Sequence, residues 1–170
     1  MKLRAARTED LDAIAALLAE NELPASDVTP DLLRDFAVAE DAHGSVVGGV
    51  GLEQFGAEAL LRSLAVAGPE RKAGLGSKLL AQAEYMALTS GVSELWLLTT
   101  TAADFFRRAG YLPVARPSAP TGLQASTQFA QLCPSTAVCM RKSLKSNRAN
   151  TRRRQDGEAL PVAIDPRATP

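Results

Sequence analysis

Between Ala59 and Thr100 the chain reads as strand, glycine-bearing loop, amphipathic helix and strand, and no other stretch limits its folds as strongly. Ala59 to Val66 is apolar with almost no alternation, the pattern of a strand covered on both faces. From Leu75 the apolar positions Leu75, Leu79, Leu80, Ala83, Met86 and Ala87 make one helical stripe, and Gly91 suits a stop after it. Glu94 to Thr100 then reads as a second strand. Strands joined through a helix need a crossover, so this unit predicts one parallel pair.

The elements around it predict hairpins. A strand through Phe36, Val38 and Glu40 meets a turn at Asp41 to Gly44, where Gly44 can take a positive φ, and Ser45 to Glu53 returns beside it. A turn at Gly56 to Glu58 leads into the Ala59 strand. Upstream, Thr8 predicts a cap for a helix with Glu9 and Asp10 in its first turn and Leu11, Ile14, Ala15 and Leu18 as its buried stripe. Thr29 before Pro30 predicts a second helix burying Leu32, Leu33 and Phe36, and the linker Asn21 to Val28 reads as exposed. Downstream the pattern predicts a short helix over Ala102 to Ala109, strands over Tyr111 to Arg116 and Ala137 to Ser143, and a helix within Pro120 to Leu132. The expected class is α/β of the α+β type, with a mixed, mostly antiparallel sheet flanked by helices.

Charge and composition narrow the function. The 19 basic and 19 acidic side chains cancel, so no global field draws the chain to nucleic acid or an anionic membrane. The stretch Lys145 to Pro170 carries six basic and three acidic residues and lacks apolar periodicity, which predicts a folded domain over residues 1–144 and a disordered basic tail over 145–170. The Arg152, Arg153, Arg154 run reads as solvated. Asp12 and Glu20 interrupt the first apolar segment, no span is long enough for a bilayer, and a cytoplasmic location with Cys133 and Cys139 reduced is expected.

The segment Leu64-Ala-Val-Ala-Gly-Pro-Glu-Arg-Lys-Ala-Gly-Leu-Gly-Ser77 joins a buried strand to an amphipathic helix. The first N–H groups of a helix lack intrahelical partners, its dipole is positive there, and Gly74 and Gly76 clear side chains from the approach. A phosphate or pyrophosphate suits that end. A P-loop would need lysine where Leu75 follows Gly74, and a dinucleotide fingerprint would need a third glycine at Leu79. Gly48, Gly49 and Gly51 lie within a strand and read as a bulge or a close approach rather than a ligand loop.

Arg71-Lys-Ala-Gly74-Leu-Gly76 resembles the R/Q-x-x-G-x-G/A motif of the GNAT superfamily of acyl-CoA N-acyltransferases, and the order of elements over residues 1–144 is similar too. The resemblance implies a splayed sheet holding acetyl-CoA between the Ala59 to Val66 and Glu94 to Thr100 strands. It implies that the backbone of Leu64, Ala65 and Val66 pairs with the pantetheine arm. The amides of Arg71, Lys72, Ala73, Gly74, Leu75, Gly76 and Ser77 would hold the pyrophosphate, and a backbone N–H near Val66 would meet the oxyanion. Gly68-Pro69 and Lys72 depart from the usual loop. Leu61-Arg-Ser-Leu-Ala-Val66, Leu97-Leu-Thr-Thr-Thr101 with Phe105-Phe106, and Leu132-Cys-Pro-Ser-Thr-Ala-Val-Cys-Met140 are similar to the arsenic-resistance N-acetyltransferase branch. That branch implies detoxification of an arsenic-containing or amino-acid-like small molecule.

The implied reaction is attack of a small molecule's primary amine on an acetyl thioester, which needs a base, an oxyanion donor and a proton for the leaving thiolate. Glu53, Glu22 and Glu58 are the candidate bases, with Glu53 preferred. Many members protonate the thiolate with a tyrosine; this chain has Phe106 there, which leaves Thr99, Thr100, Thr101, a water or an unaided thiolate. Tyr111 and Trp96 read as packing residues. Two cysteines and His43 do not complete a zinc set, so no metal is expected and the cysteines read as free thiols, with arsenic binding near Cys133 as a second idea. The alternative to an enzyme is a noncatalytic CoA-binding or arsenic-sensing module. A homodimer is compatible with the family's habits, and nucleic acid and membrane are not expected partners.

Overall fold

A computed structural model describes residues 1–144; the basic tail, Lys145 to Pro170, lies outside the described residues. Seven strands form one sheet in the order β1-β2-β3-β4-β5-β7-β6. They are β1 (Lys2–Ala5), β2 (Phe36–Glu40), β3 (Val46–Phe55), β4 (Glu58–Val66), β5 (Glu94–Thr99), β6 (Leu112–Pro113) and β7 (Val138–Ser143). Every neighbouring pair is antiparallel except β4 and β5, which the crossover helix α2 (Leu75–Thr89) joins in parallel. The remaining helices are α1 (Leu11–Glu20), α3 (Ala103–Arg108) and α4 (Thr121–Gln124), followed by a π-helical turn at Gln128–Leu132.

Alternation along the strands divides the core between the two faces of the sheet. Ala37, Ala39, Val50, Leu52, Leu61, Leu95 and Leu97 pack with Leu75, Leu79 and Ala83 of α2. On the other face, Phe36, Val38 and Ala65 pack with Ile14, Leu17 and Leu18 of α1, while Leu60 and Trp96 pack with Leu123 and Phe129. Each fully buried leucine contributes about 1.5–3 kcal/mol, so this two-sided cover makes β4 the spine expected from its apolar run.

The glycines of β3 are placed by those faces. A Cβ on Gly51 would lie 2.1 Å from the Phe36 ring, and one on Gly48 would lie 2.8 Å from Leu79. Gly49 pairs with Ala65 but Gly51 pairs with Arg62, which leaves Val50 opposite both Ser63 and Leu64. This is a β-bulge, and Ser63 takes a left-handed φ of 59° within it.

Several expected elements differ. Thr8 caps nothing: a 3-10 turn at Thr8–Asp10 precedes α1, and the Asp10 carboxylate accepts from the Arg7 N–H at 2.7 Å. The helix expected after Thr29 is a 3-10 turn at Leu32–Asp35, because Phe36 is drawn into β2. The strand expected over Tyr111 to Arg116 shrinks to Leu112–Pro113, as proline cannot donate to a ladder. Strand β1 was not expected at all. It is held at the edge by Arg4, whose guanidinium donates to both Asp10 oxygens (2.8 and 3.0 Å) and to Glu40 (2.8 Å). Those hydrogen bonds from Arg4 hold the buried Asp10 carboxyl below the ordinary carboxylate range, against the opposing effect of burial.

Candidate active site

The crossover sets the site. Only Glu58, Ala59 and Leu60 of β4 pair with β5, opposite Glu94, Leu95 and Trp96; beyond them the two strands part. A cleft of about 400 Å³ opens there, walled by Leu60 to Leu64 of β4, Leu97 to Ala102 at the end of β5, Asn21 to Pro24 after α1, Phe105 and Phe106 of α3, and Cys133. Ala67 donates its N–H to Val47 of β3 at 2.8 Å, so alternation turns the N–H and C=O groups of Leu64 and Val66 away from β3 and into the gap. The Val66 carbonyl accepts from Arg71 Nε at 3.2 Å, and Arg71 Nη2 reaches Asn21 Oδ1 at 3.0 Å, which ties the loop to the end of α1.

Helix α2 begins at the mouth of this gap. Gly74 precedes it with φ 78°, a conformation that side chains disfavour, and no atom lies within 4 Å of where its Cβ would stand. Among the described residues, the N–H groups of Lys72, Gly74, Leu75, Gly76 and Ser77 have no backbone acceptor, and Lys78 donates to Gly74 at 3.3 Å. Four successive free donors at the positive end of a 15-residue helix form an anion cradle that a side chain at position 74 would obstruct. The residues present therefore fit the pyrophosphate of an acyl-CoA.

A buried charge cluster stands on the sheet face opposite α2. Arg62 of β4 has a side chain only 1% exposed. Its Nη1 donates to Asp27 Oδ2 and Glu53 Oε1, Nη2 to Asp27 Oδ1 at 2.6 Å, and Nε to Ser63 Oγ at 3.1 Å. Burial favours a neutral Asp27, but the hydrogen bonds and charge of Arg62 prevail, and the carboxyl sits below its ordinary range. The same carboxylates outweigh burial at Arg62 and raise its pKa. Cys133 donates its S–H to Gln128 Oε1 at 3.2 Å; burial pushes its thiol up, partly offset by Arg116 and Arg62.

The expected catalytic carboxylates are thus distributed unevenly. Glu53 belongs to the cluster through one oxygen. Glu22 lies at the cleft wall with φ 57°, because Leu23 and Glu22 donate back to Leu18 and Ala19 and make it the left-handed residue that closes α1. Glu58 sits where β4 and β5 still pair, about 26 Å along the strand from Val66 at its usual rise. Phe106 is buried edge-on between Phe105 and Tyr111. Tyr111 is fully buried, donates to Glu84 at 3.0 Å, and is pushed up by burial first and Glu84 second, which suits packing and not proton transfer. Thr99 Oγ1 accepts from the Ala102 N–H at 3.0 Å, while Thr100 and Thr101 line the cleft. His43 is in the β2–β3 turn, and no group of three metal-ligating side chains occurs among the described residues. Sequence reasoning missed Arg62, Asp27 and Gln128; a lone arginine inside the apolar run of β4 was the one available signal.

Comparison with known proteins finds relatives of this mixed sheet, which opens at its single parallel pair beside a donor-rich helix start. Residues 33–113 match the family described as acetyltransferase (GNAT) domain. An uncharacterized N-acetyltransferase of Chlorobaculum tepidum is 33% identical over 108 residues, which take in 63% of this chain and 66% of that relative. Among solved structures, Rv2747 of Mycobacterium tuberculosis in complex with CoA and NLQ superposes with a TM-score of 0.73 at 20% identity, over 85% of this chain and 99% of that one. N-acetylglutamate synthase of Neisseria gonorrhoeae, complexed with coenzyme A and N-acetyl-glutamate, gives 0.73 at 22% identity over 84% of this chain and 35% of its own. These likenesses establish the fold.

Proposed function

We propose that this chain is an acetyl-CoA-dependent N-acetyltransferase acting on the primary amine of a small molecule. The observation that carries it is the coincidence of the β4–β5 gap with the free N–H groups of Gly74 to Ser77 at one end of the sheet. Leu64 and Val66 would hold the pantetheine arm, with Ala65 between them paired to β3, and the free amides of Lys72 and Gly74 to Ser77 would hold the pyrophosphate, those of Arg71 and Ala73 being taken by Gly68 and Glu70. When bound, acetyl-CoA supplies an acyl group activated as a thioester. The Val66 N–H faces the gap and serves as the oxyanion donor. Glu53 is the base, with its second oxygen free to take the ammonium proton directly or through water. Phe106 supplies no proton, so the leaving thiolate draws one from water or from Thr100 or Thr101.

The likeness to the arsenic-resistance branch extends the reading to an arsenic-containing or amino-acid-like amine, in the cytoplasm. Phe106, with Tyr111 committed to Glu84, is the observation that favours a second reading: a module that binds CoA, or senses arsenic, without turnover. One assay separates them. Free-thiol release from acetyl-CoA is measured across amino acids, their phosphinic and arsinic analogues, polyamines and peptides. Release with any amine supports the enzyme, while acetyl-CoA binding with no release on the whole panel supports the module.

A further inference from the structure

The buried cation in the cleft wall is the feature that the reaction above leaves without a role. Arg62 uses four of its five N–H groups on Asp27, Glu53 and Ser63, and its side chain is almost wholly shielded. Its partners come from different parts of the chain. Asp27 lies in the linker between α1 and β2, whose earlier residues Asn21 to Pro24 wall the cleft; Ser63 is the bulge residue of β4; Glu53 is on β3. Across the cleft, Cys133 donates to Gln128 within the π-helical turn, and both residues line the same cavity as Arg62.

We infer that Arg62 is the positioning residue of the acceptor half of the cleft: it clamps the Asn21 to Val28 linker onto the bulged strand and does not itself touch the acceptor. Three features support a clamp over a ligand site. The bidentate face of the guanidinium is already filled by Asp27, whereas a substrate carboxylate would need it. The two carboxylates exceed the charge of Arg62, leaving the cluster net negative. The linker carries few backbone bonds of its own, Val28 to Ala25 at 3.1 Å among them, so beside the packing of Leu23, Ala25 and Val28 the ion pair is its polar tie to β4. The role rests on the acetyltransferase reading, and it is tested so that the two fail separately.

Arg62→Lys keeps the charge and loses the fork, and Asp27→Asn keeps the shape and loses the charge. In both, the acceptor KM rises by about tenfold or more, for amines with and without a carboxylate alike, while the acetyl-CoA Kd stays within about twofold, since the loop amides are not in the cluster. Hydrogen exchange, which needs no substrate, is followed in the same proteins. The Val28 amide exchanges at least about tenfold faster in both variants, and the α2 amides change by less than about twofold. Unchanged exchange at Val28 overturns the clamp, as does an acetyl-CoA Kd that rises in step with the acceptor KM. If Asp27→Asn instead lowers KM for carboxylate-bearing amines only, Asp27 is a competing occupant of a carboxylate site on Arg62 and the clamp is wrong. If no amine is turned over by the wild-type protein, the acetyltransfer reading falls while the exchange measurement still decides the clamp.

Discussion

Gly74→Val separates the backbone's role from the ligand's. With φ at 78°, a β-branched residue there costs about 1–2 kcal/mol of stability through left-handed strain alone. Nothing lies within 4 Å of its Cβ position, so no clash adds to that cost. For a chain of this size the loss lowers Tm by roughly 2–8 °C. The same arithmetic applies to Gly56, which has φ 67° in the β3–β4 turn and equally open surroundings. Gly56→Val is therefore a matched control with the same strain, far from the helix start. The two variants should differ only toward ligand. If the valine deprives the pyrophosphate of two charge-assisted N–H bonds, each worth about 1.5–3 kcal/mol, acetyl-CoA affinity falls by about 10² to 10⁴. Calorimetric titration with acetyl-CoA, beside thermal unfolding of both proteins, reads the two effects apart. A folded Gly74→Val protein that binds acetyl-CoA within twofold of wild type would refute the assignment of the loop.

Three further outcomes follow from the same geometry. Glu53→Gln should lower kcat by about a hundredfold or more and leave acetyl-CoA affinity alone; a pH–rate profile identical to wild type would remove Glu53 as the base. Phe106→Tyr places a hydroxyl at the wall of the cleft and should raise the rate of thiol release by up to about a hundredfold, and an unchanged kcat in a folded variant would show that thiolate protonation is not limiting. Asp10 titrates below its unfolded value, so its contribution is present above that value and is lost as pH falls through the depressed folded one. Asp10→Asn should cost about 2 kcal/mol near neutral pH and flatten the acid limb of a denaturant-stability curve, whereas an unaltered acid limb would show that Arg4 and Asp10 do not couple.

How much of the site could be read in advance depends on the distance between its parts along the chain. The loop from Arg71 to Ser77 is one contiguous stretch, and the free amides of Gly74 to Ser77 follow from where helix α2 starts. Gly51 was legible as a bulge or a close approach and is both, because a strand glycine without turn neighbours has few other uses. Asp27 is 35 residues from Arg62, and nothing in a polar linker marks which carboxylate will reach a buried arginine. Strand β1 was hidden for a related reason: four residues with Leu3 and Ala5 as the apolar pair are too short to show a period, and the strand exists because β2 offers an edge and Arg4 finds Asp10 and Glu40.

Alone, the amino-acid sequence determined the order of the main elements, the crossover that makes β4 and β5 parallel, the two-sided burial of β4, and the donor-rich start of α2. Each of these depends on residues close together in the chain, where propensity, periodicity and the chemistry of helix ends act directly. Tertiary structure alone decided where β4 leaves β5, that Ser63 takes the bulge, that Tyr111 is consumed by Glu84, and that Arg62 gathers Asp27, Glu53 and Ser63. Those outcomes are settled by how several elements share one limited interior, where a buried charge or hydroxyl must find its partner wherever packing brings one.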